Sequence, residues 1–271
     1  MQTSTDRISA FRHLHESGCF VMPNPWDIGS ARLLAQLGFP ALATTSAGLA
    51  WSLGVRDTHV GRDKVLAHLQ AMSAAVDVPI NADFEDGFAI EPAGVAISVE
   101  LATRTGIAGL SIEDSTDDPA KPLFDFALAV ERIEAARRAI DDSATGVVLT
   151  ARSEGFIAGR PDLAVTIRRL TAYAEAGADC LYAPGIRSVA DIKTIVDAVS
   201  PKPVNALVSG NFTTVAEMTD IGVRRISVGG ALARTAWTGF LEAAKEIAER
   251  GSFAGLSSAM PGVDLDGIFA R

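Results

Sequence analysis

The chain has 271 residues, of which 48% are hydrophobic and 21% are charged, so its composition is that of a folded globular protein rather than a disordered or fibrous one. Its formal net charge of −9 at pH 7 argues against nucleic acid or an anionic membrane surface as a partner. No segment reaches the ~18 consecutive apolar residues of a membrane helix, and the polar N-terminus lacks the apolar core of a signal peptide. We therefore expect a cytoplasmic protein.

Short apolar runs alternate with longer segments of helical periodicity along the chain, with no break in composition. The runs predicted as strands are 19–22, 41–44, 79–83, 109–112, 147–151, 179–183, 203–207 and 225–228. The segments predicted as helices are 26–37, 62–75, 92–103, 127–140, 161–176, 189–199, 213–219 and 231–250. Eight alternating units are typical of parallel strands and fit a closed (β/α)8 barrel better than an open sheet. We predict an α/β protein with one (β/α)8 barrel domain over 1–271 and a helical tail from about 252.

Acidic residues end two consecutive predicted strands. In such a barrel the chemistry lies at the C-terminal ends of the strands. Asp83 ends the third strand, Glu113 follows the fourth, and Glu85 lies two residues beyond Asp83. Carboxylates that converge on one barrel mouth repel each other unless a positive charge lies among them, so we predict Mg²⁺ or Mn²⁺ near Asp83 and Glu113. The alternative is that these acids cap helices or face solvent.

Groups that could bind an anionic substrate follow other strands. Arg152 directly follows the fifth strand, and a buried arginine must be paired. It is either a structural partner of Glu113 or Glu154, or a clamp for a substrate carboxylate or enolate oxygen. The small polar segment 44–48 offers backbone N–H groups and hydroxyls to a carboxylate, unless it is a plain turn. Asn205 lies in the seventh strand.

Motifs for several other chemistries are absent from the sequence. There is no Gly-x-Gly-x-x-Gly after the first strand, no Gly-x-Ser-x-Gly, no Cys-x-x-Cys and no His-rich pattern, which disfavours dinucleotide, serine-hydrolase and zinc sites. Gly229 and Gly230 open the last helix, where they could hold a phosphate, but two glycines are a weak signal.

Taken together and in this order, these segments resemble the isocitrate lyase/phosphoenolpyruvate mutase superfamily over nearly the whole chain. The segments that carry the resemblance are Asn24-Pro25-Trp26-Asp27, Thr44-Thr45-Ser46-Ala47-Gly48, Ser52-Leu53-Gly54-Val55-Arg56-Asp57, Asn81-Ala82-Asp83-Phe84-Glu85-Asp86-Gly87, Ile112-Glu113-Asp114 and Ala151-Arg152-Ser153-Glu154-Gly155-Phe156. The resemblance implies a barrel that binds Mg²⁺ and a small 2-oxo or 2-hydroxy carboxylic acid and makes or breaks C–C or P–C bonds through an enolate. It also implies a homodimer or homotetramer, with the last helix exchanged between subunits.

Transferred position by position, the resemblance assigns roles to individual residues. It implies that the Ser46 region holds the substrate carboxylate and that Asp57 joins the metal shell. The predicted catalytic residues are Arg152, Ser46 and Glu113. The predicted substrate-binding residues are Thr45, Ser46, Ala47, Trp26, Asn205 and Arg152, and the predicted metal ligands are Asp83, Glu113, Asp57 and Glu85.

The chain departs from the pattern of the superfamily at two places. Asn81 stands where the usual Asp-x-Asp motif has its first carboxylate, and Glu85 or Asp86 could compensate. The loop 115–123 has neither cysteine nor histidine, whereas the isocitrate and methylisocitrate lyases carry Lys-Lys-Cys-Gly-His there. The acid that protonates the leaving carbanion in those lyases is therefore missing. The loop also lacks the Lys-x-x-x-x-x-Asn pattern of the phosphonate-forming mutases, so the chain resembles a mutase-like branch.

Three functions remain open from the sequence. The leading hypothesis is a Mg²⁺-dependent lyase that cleaves a C–C bond of a small 2-oxo or 2-hydroxy carboxylic acid, by retro-aldol cleavage or decarboxylation. The second is a P–C bond enzyme of the phosphoenolpyruvate mutase or phosphonopyruvate hydrolase type, disfavoured because Lys121 is the only basic residue of the loop 115–123. The third is a catalytically inactive barrel that binds a keto acid.

Overall fold

The computed structural model describes residues 3–116 and 118–270, so the predicted domain ends and Asp117 lie outside the described residues. Eight parallel strands form a nearly closed barrel with helices between them, which confirms the predicted (β/α)8 fold. The strands are β1 (Phe20–Met22), β2 (Leu42–Ala43), β3 (Ile80–Asp83), β4 (Gly109–Glu113), β5 (Val148–Arg152), β6 (Cys180–Tyr182), β7 (Val204–Leu207) and β8 (Arg225–Ser227). Their order is β1-β8-β7-β6-β5-β4-β3-β2. Between β1 and β2, Ala43 N donates to Pro23 O at 3.1 Å.

The helices of the described residues lie before, between and after the strands along the chain. They are α1 (Ser4–Leu14), α2 (Ile28–Gln36), α3 (Ser46–Ser52), α4 (Arg62–Ala75), α5 (Pro92–Thr103), α6 (Phe126–Asp142), α7 (Leu163–Glu175), α8 (Val189–Val199), α9 (Val215–Asp220), α10 (Ala231–Arg250) and α11 (Gly262–Phe269), with a 3-10 turn at Ala254–Ser258. The bounds of α4, α5, α8 and α10 are those predicted. No helix in the described ranges is long and apolar enough to cross a membrane.

Two helices were not predicted. α1 begins after Thr3, which forms a capping box with Asp6, and it buries only Ile8 and Phe11. α3 begins after Thr45, whose hydroxyl accepts a hydrogen bond from Gly48 N. The segment 44–48, read from the sequence as a small polar turn, is therefore the end of β2 followed by the start of a helix.

α1 covers the N-terminal ends of the strands. Phe11 is fully buried, and its ring makes edge contacts with the rings of His15 and Phe20. Arg7 Nη1 donates to the backbone oxygens of Ser73 and Val76, which ties α1 to the end of α4. This helix therefore lies at the end of the barrel opposite to the strand ends that carry Asp83, Glu113 and Arg152.

Candidate active site

The ends of three neighbouring strands bring acidic groups and one cation together. β4 pairs with β5 in a register that sets Glu113 beside Arg152. Arg152 Nη1 lies 2.6 Å from Asp83 Oδ1 and 3.0 Å from Glu113 Oε2. Its Nε and Nη2 both lie 2.9 Å from Glu154 Oε1. All four side chains are at most 18% exposed, so these ion pairs are formed largely out of water.

Arg152 is thus paired with three carboxylates. Burial alone would lower the pKa of Arg152, but its carboxylate neighbours raise it well above the usual value, so the guanidinium stays charged. The pairs with Glu113 and Glu154 are those considered from the sequence, whereas the pair with Asp83 was not foreseen. A role of Arg152 toward substrate remains a prediction.

The start of α3 already binds a carboxylate of the protein. Ser46 N donates to Asp83 Oδ2 at 2.9 Å, and Asp83 N donates to Thr44 Oγ1 at the same distance. The Asp83 carboxylate therefore bridges the Ser46 amide and Arg152. A backbone amide that donates to one carboxylate oxygen can donate to another, which is consistent with the predicted role of Ser46.

Two further acids lie close to this cluster. Burial, then the charge of Asp83, raises the pKa of Asp57, although a hydrogen bond with the Ser46 hydroxyl opposes the change. Burial, then Asp83 and Glu113, raises the pKa of Glu85 to about 8. Glu85 also has a left-handed backbone conformation with φ +48°, rare outside glycine, and its carbonyl accepts from Glu113 N at 3.0 Å.

The four predicted metal ligands are neighbours, but their arrangement is not that of a formed metal site. Among the described residues, no three His, Cys, Asp or Glu side chains are placed so that they could hold a metal ion. Arg152 Nη1 lies between Asp83 and Glu113. The donor chemistry still fits a hard cation, because every group is a carboxylate and Glu85 Oε1 is buried without a hydrogen-bond partner. Asn81 is buried, and its Nδ2 donates to Ala82 O at 3.2 Å.

Two cavities meet this cluster. A central cavity of about 250 Å³ lies at the barrel axis, and an outer cavity of about 780 Å³ is bounded by Glu85 and Glu113. Predicted residues that line the central cavity are Thr45, Ser46, Ala47, Asp57, Asp83, Arg152 and Asn205. Trp26 lines neither cavity. A small acid in the central cavity could therefore contact Ser46 and Arg152 at once.

Two residues of the site were missed in the sequence. Tyr182 ends β6 and lines the central cavity, but no charged residue marks that strand end, and a tyrosine in an apolar run looks like core. Asn24 Oδ1 accepts from Val228 N and Gly229 N, both at 2.9 Å, and its Nδ2 donates to Thr44 O. Asn24 thereby joins the loops after β1, β2 and β8. It also engages an amide of the glycine pair that could have bound phosphate.

Comparisons with known proteins identify relatives of the chain. The family model described as phosphoenolpyruvate phosphomutase matches residues 11–248. Oxaloacetate decarboxylase of Paraburkholderia xenovorans (strain LB400) is 30% identical over 84% of this chain and 76% of its own length. The 2-methylisocitrate lyase of Escherichia coli (strain K12) is 32% identical over 62% of this chain and 58% of its own. A solved Burkholderia cenocepacia J2315 structure, described provisionally as a lyase/mutase, is 45% identical with a TM-score of 0.96 and covers 99% of this chain and 98% of that one.

Proposed function

The chain belongs to the phosphoenolpyruvate mutase/isocitrate lyase superfamily of enzymes, and we propose that it is a Mg²⁺-dependent lyase that cleaves a C–C bond of a small 2-oxo or 2-hydroxy carboxylic acid. The observation that carries the proposal is the position of Arg152. It is a buried, permanently charged guanidinium on the wall of a small cavity, beside a backbone amide that binds carboxylate. An enolate formed there would meet a fixed positive charge.

Asp57, Asp83, Glu85 and Glu113 are the residues that would hold the cation. When bound, Mg²⁺ supplies positive charge that polarises an oxygen of the acid. The cluster without it has a surplus of negative charge, because Arg152 is the one basic side chain that forms ion pairs with these acids among the residues described. This surplus supports a divalent cation rather than a second anion as the resident ligand.

The residues of this chain then have separate tasks. The amides near Thr45, Ser46 and Ala47 bind the substrate carboxylate, as Ser46 N now binds that of Asp83. Arg152 donates to the oxygen on which negative charge grows as the bond breaks. Glu154 holds both Nε and Nη2 of Arg152 and so fixes the plane of the guanidinium.

Decarboxylation is the form of C–C cleavage that the chain supports best. Decarboxylation requires fewer catalytic groups than retro-aldol cleavage, because CO₂ leaves without a general base. The loop 115–123 also lacks the cysteine of the retro-aldol lyases. An oxaloacetate decarboxylase is among the relatives that align over most of this chain. P–C bond chemistry is less well supported, because Lys121, the one basic residue of this loop, forms an ion pair with Asp125 at 2.7 Å on the protein surface. Oxaloacetate is therefore the first substrate to test.

A screen of 2-oxo and 2-hydroxy diacids with Mg²⁺, read by pyruvate release, tests the proposal. We expect turnover of at least one diacid above the rate with Mg²⁺ alone, and loss of that turnover in EDTA. Phosphonopyruvate belongs in the same screen. Turnover of phosphonopyruvate alone, or binding of diacids without turnover of any, would contradict the lyase assignment.

A further inference from the structure

One polar side chain of the central cavity has no part in the function above. Tyr182 lies between Arg152 of β5 and Asn205 of β7 in the register of the sheet. It lines the central cavity and is 8% exposed. The guanidinium carbon of Arg152 lies 5.1 Å from the centre of its ring. A phenol is therefore held beside the position at which an enolate would form.

A directed series of hydrogen bonds runs from Arg225 to Ser227, which lines the central cavity together with Tyr182. An arginine can only donate hydrogen bonds. The Asn205 side-chain atom that lies 2.9 Å from Arg225 Nε must therefore be the amide oxygen, Oδ1. Asn205 Nδ2 must then be the donor in its 2.9 Å bond to Ser227 Oγ. Ser227 also lies near the Tyr182 hydroxyl and favours its charged form. With its oxygen accepting from Asn205, Ser227 is free to donate its own hydrogen to Tyr182 Oη.

Donation in this direction would leave the phenol hydrogen of Tyr182 available to a ligand. If Oη accepts from Ser227, its own hydrogen must point in another direction. The central cavity is the open space that Tyr182 lines. The bonds among Arg225, Asn205 and Ser227 therefore prepare Tyr182 as a donor toward a bound ligand.

Arg225 is well placed to start the chain. It is 1% exposed, and no ion pair joins it to a carboxylate in the described residues. Its Nη2 donates to Thr150 Oγ1 at 3.0 Å, and its Nη1 lies 3.3 Å from His15 Nε2. His15 Nδ1 bonds Phe11 O at 2.7 Å, so Nε2 is the acceptor in a neutral ring. Every contact of Arg225 thus agrees with the direction of donation toward Tyr182.

We propose that Tyr182 is the catalytic acid that protonates the enolate carbon, in place of the cysteine that loop 115–123 lacks. The assignment rests on the proposed lyase function. With oxaloacetate, the C3–C4 bond breaks, CO₂ leaves, and the electron pair remains as the pyruvate enolate. C3 then takes the proton of Tyr182 Oη as the C2 carbonyl re-forms. The phenolate left behind faces Arg152 and takes a proton from water after the product leaves.

The chemistry of the phenol suits this task. Burial raises the pKa of Tyr182 to about 12, although Arg152 and Ser227 oppose the change, so the proton is present at neutral pH. Arg152 and Ser227 favour the phenolate and would stabilise it once formed.

Exchange of the methyl hydrogens of pyruvate in D₂O with Mg²⁺, followed by proton NMR, isolates the proposed step. Tyr182→Phe keeps the ring beside Arg152 and removes only the acid. We expect the wild-type protein to accelerate exchange and Tyr182→Phe to slow it by roughly 10²–10⁴-fold, the range of general acid–base catalysis. Calorimetry with oxalate and Mg²⁺ checks that the variant still binds an enolate mimic, with affinity changed by less than about 3-fold.

The other tyrosine supplies a matched control. Tyr173 is fully buried in α7 and bonds Asp114 at 2.6 Å outside both cavities, so Tyr173→Phe also removes a buried hydroxyl and should leave exchange unchanged. Wild-type exchange rates in Tyr182→Phe would overturn the role of Tyr182 and leave the lyase function standing. If the wild-type protein neither accelerates exchange in pyruvate nor cleaves any diacid, the proposed lyase function itself is contradicted.

Discussion

Arg152 is the residue on which the electrostatic balance of the barrel mouth depends. It neutralises part of the charge of Asp83, Glu113 and Glu154 in a largely buried setting. Asp57 and Glu85 add further carboxylates, whose pKa values are raised first by burial and then by repulsion from neighbouring carboxylates. A bound cation would remove that repulsion.

At the residue scale, Asp83→Ala should abolish a divalent-cation site. Asp83 bridges Arg152 and the Ser46 amide, at the centre of the acidic cluster. We expect calorimetry with Mg²⁺ or Mn²⁺ to detect one site in the wild-type protein and none, or a much weaker one, in the variant. Glu131→Ala on the exposed face of α6 serves as the control. Equal binding by Asp83→Ala and wild type would remove Asp83 from the metal shell.

Sequence analysis predicted which charged residues lie at strand ends better than it predicted the side chains with which they pair. Glu113 and Arg152 were predicted at the barrel mouth because charged residues directly after apolar runs stand at strand ends. The Arg152–Asp83 pair joins strands that are not adjacent, so it depends on barrel closure and side-chain reach, which spacing along the chain does not encode. Tyr182 was missed because its place beside Arg152 and Asn205 depends on the register with the two neighbouring strands.

At the element scale, alternation of apolar runs and helical segments was enough to predict all eight strands. The two missed helices lacked that signal. α1 is polar and buries only two residues, and α3 has 7 residues that begin in a segment of small side chains. α1 nevertheless matters for the site, because it presents His15 to Arg225 and so reaches the hydrogen-bond chain behind Tyr182.

His15 should make the stability of the protein depend on pH. Burial, then the charge of Arg225, lowers the pKa of His15 to about 3, whereas in the unfolded chain it is near 6.5. Between these values the unfolded chain binds the extra proton, so stability present above pH 6.5 is lost as the pH falls toward 3. By pH 5 the loss from this group should be about 2 kcal/mol.

Urea unfolding of wild type and His15→Gln at pH 7 and pH 5 measures this effect. Glutamine keeps an acceptor for Arg225 but does not titrate, so the free energy of unfolding should fall less between the two pH values. His13→Gln, at an exposed position in the last turn of α1, is the control and should behave as wild type. A pH dependence in His15→Gln as steep as that of wild type would show that His15 is not the titrating group.

At the scale of the whole molecule, the last helix leaves an apolar surface uncovered. Ala233 is the one buried residue of α10, whereas Trp237, Phe240 and Leu241 are exposed. Phe253 and other apolar residues of the segment after α10 are exposed as well. Exposed apolar surface of this extent is typical of an interface between subunits. We propose that this surface packs against a second copy of the chain in a homodimer or homotetramer.

Sedimentation velocity of Phe240→Glu tests that assembly. A carboxylate in a buried apolar interface has no counter-charge, so the variant should sediment as a smaller species than wild type. Val215→Glu places the same charge on an exposed apolar site of α9 and should leave the assembly intact. A monomeric wild-type protein, or an unchanged assembly in Phe240→Glu, would contradict the proposed interface.

The kinetics of Arg152→Lys on an active diacid test most directly whether the barrel mouth is a lyase active site. Lysine keeps the charge but loses the planar fork that Glu154 orients. We predict that kcat falls by about 10²–10³-fold, as for loss of one transition-state donor, while KM rises less, because the Ser46 region still binds the carboxylate. Arg168→Lys on the exposed face of α7 controls for the substitution. Full turnover by Arg152→Lys would show that Arg152 is only a structural ion-pair partner and would contradict the account.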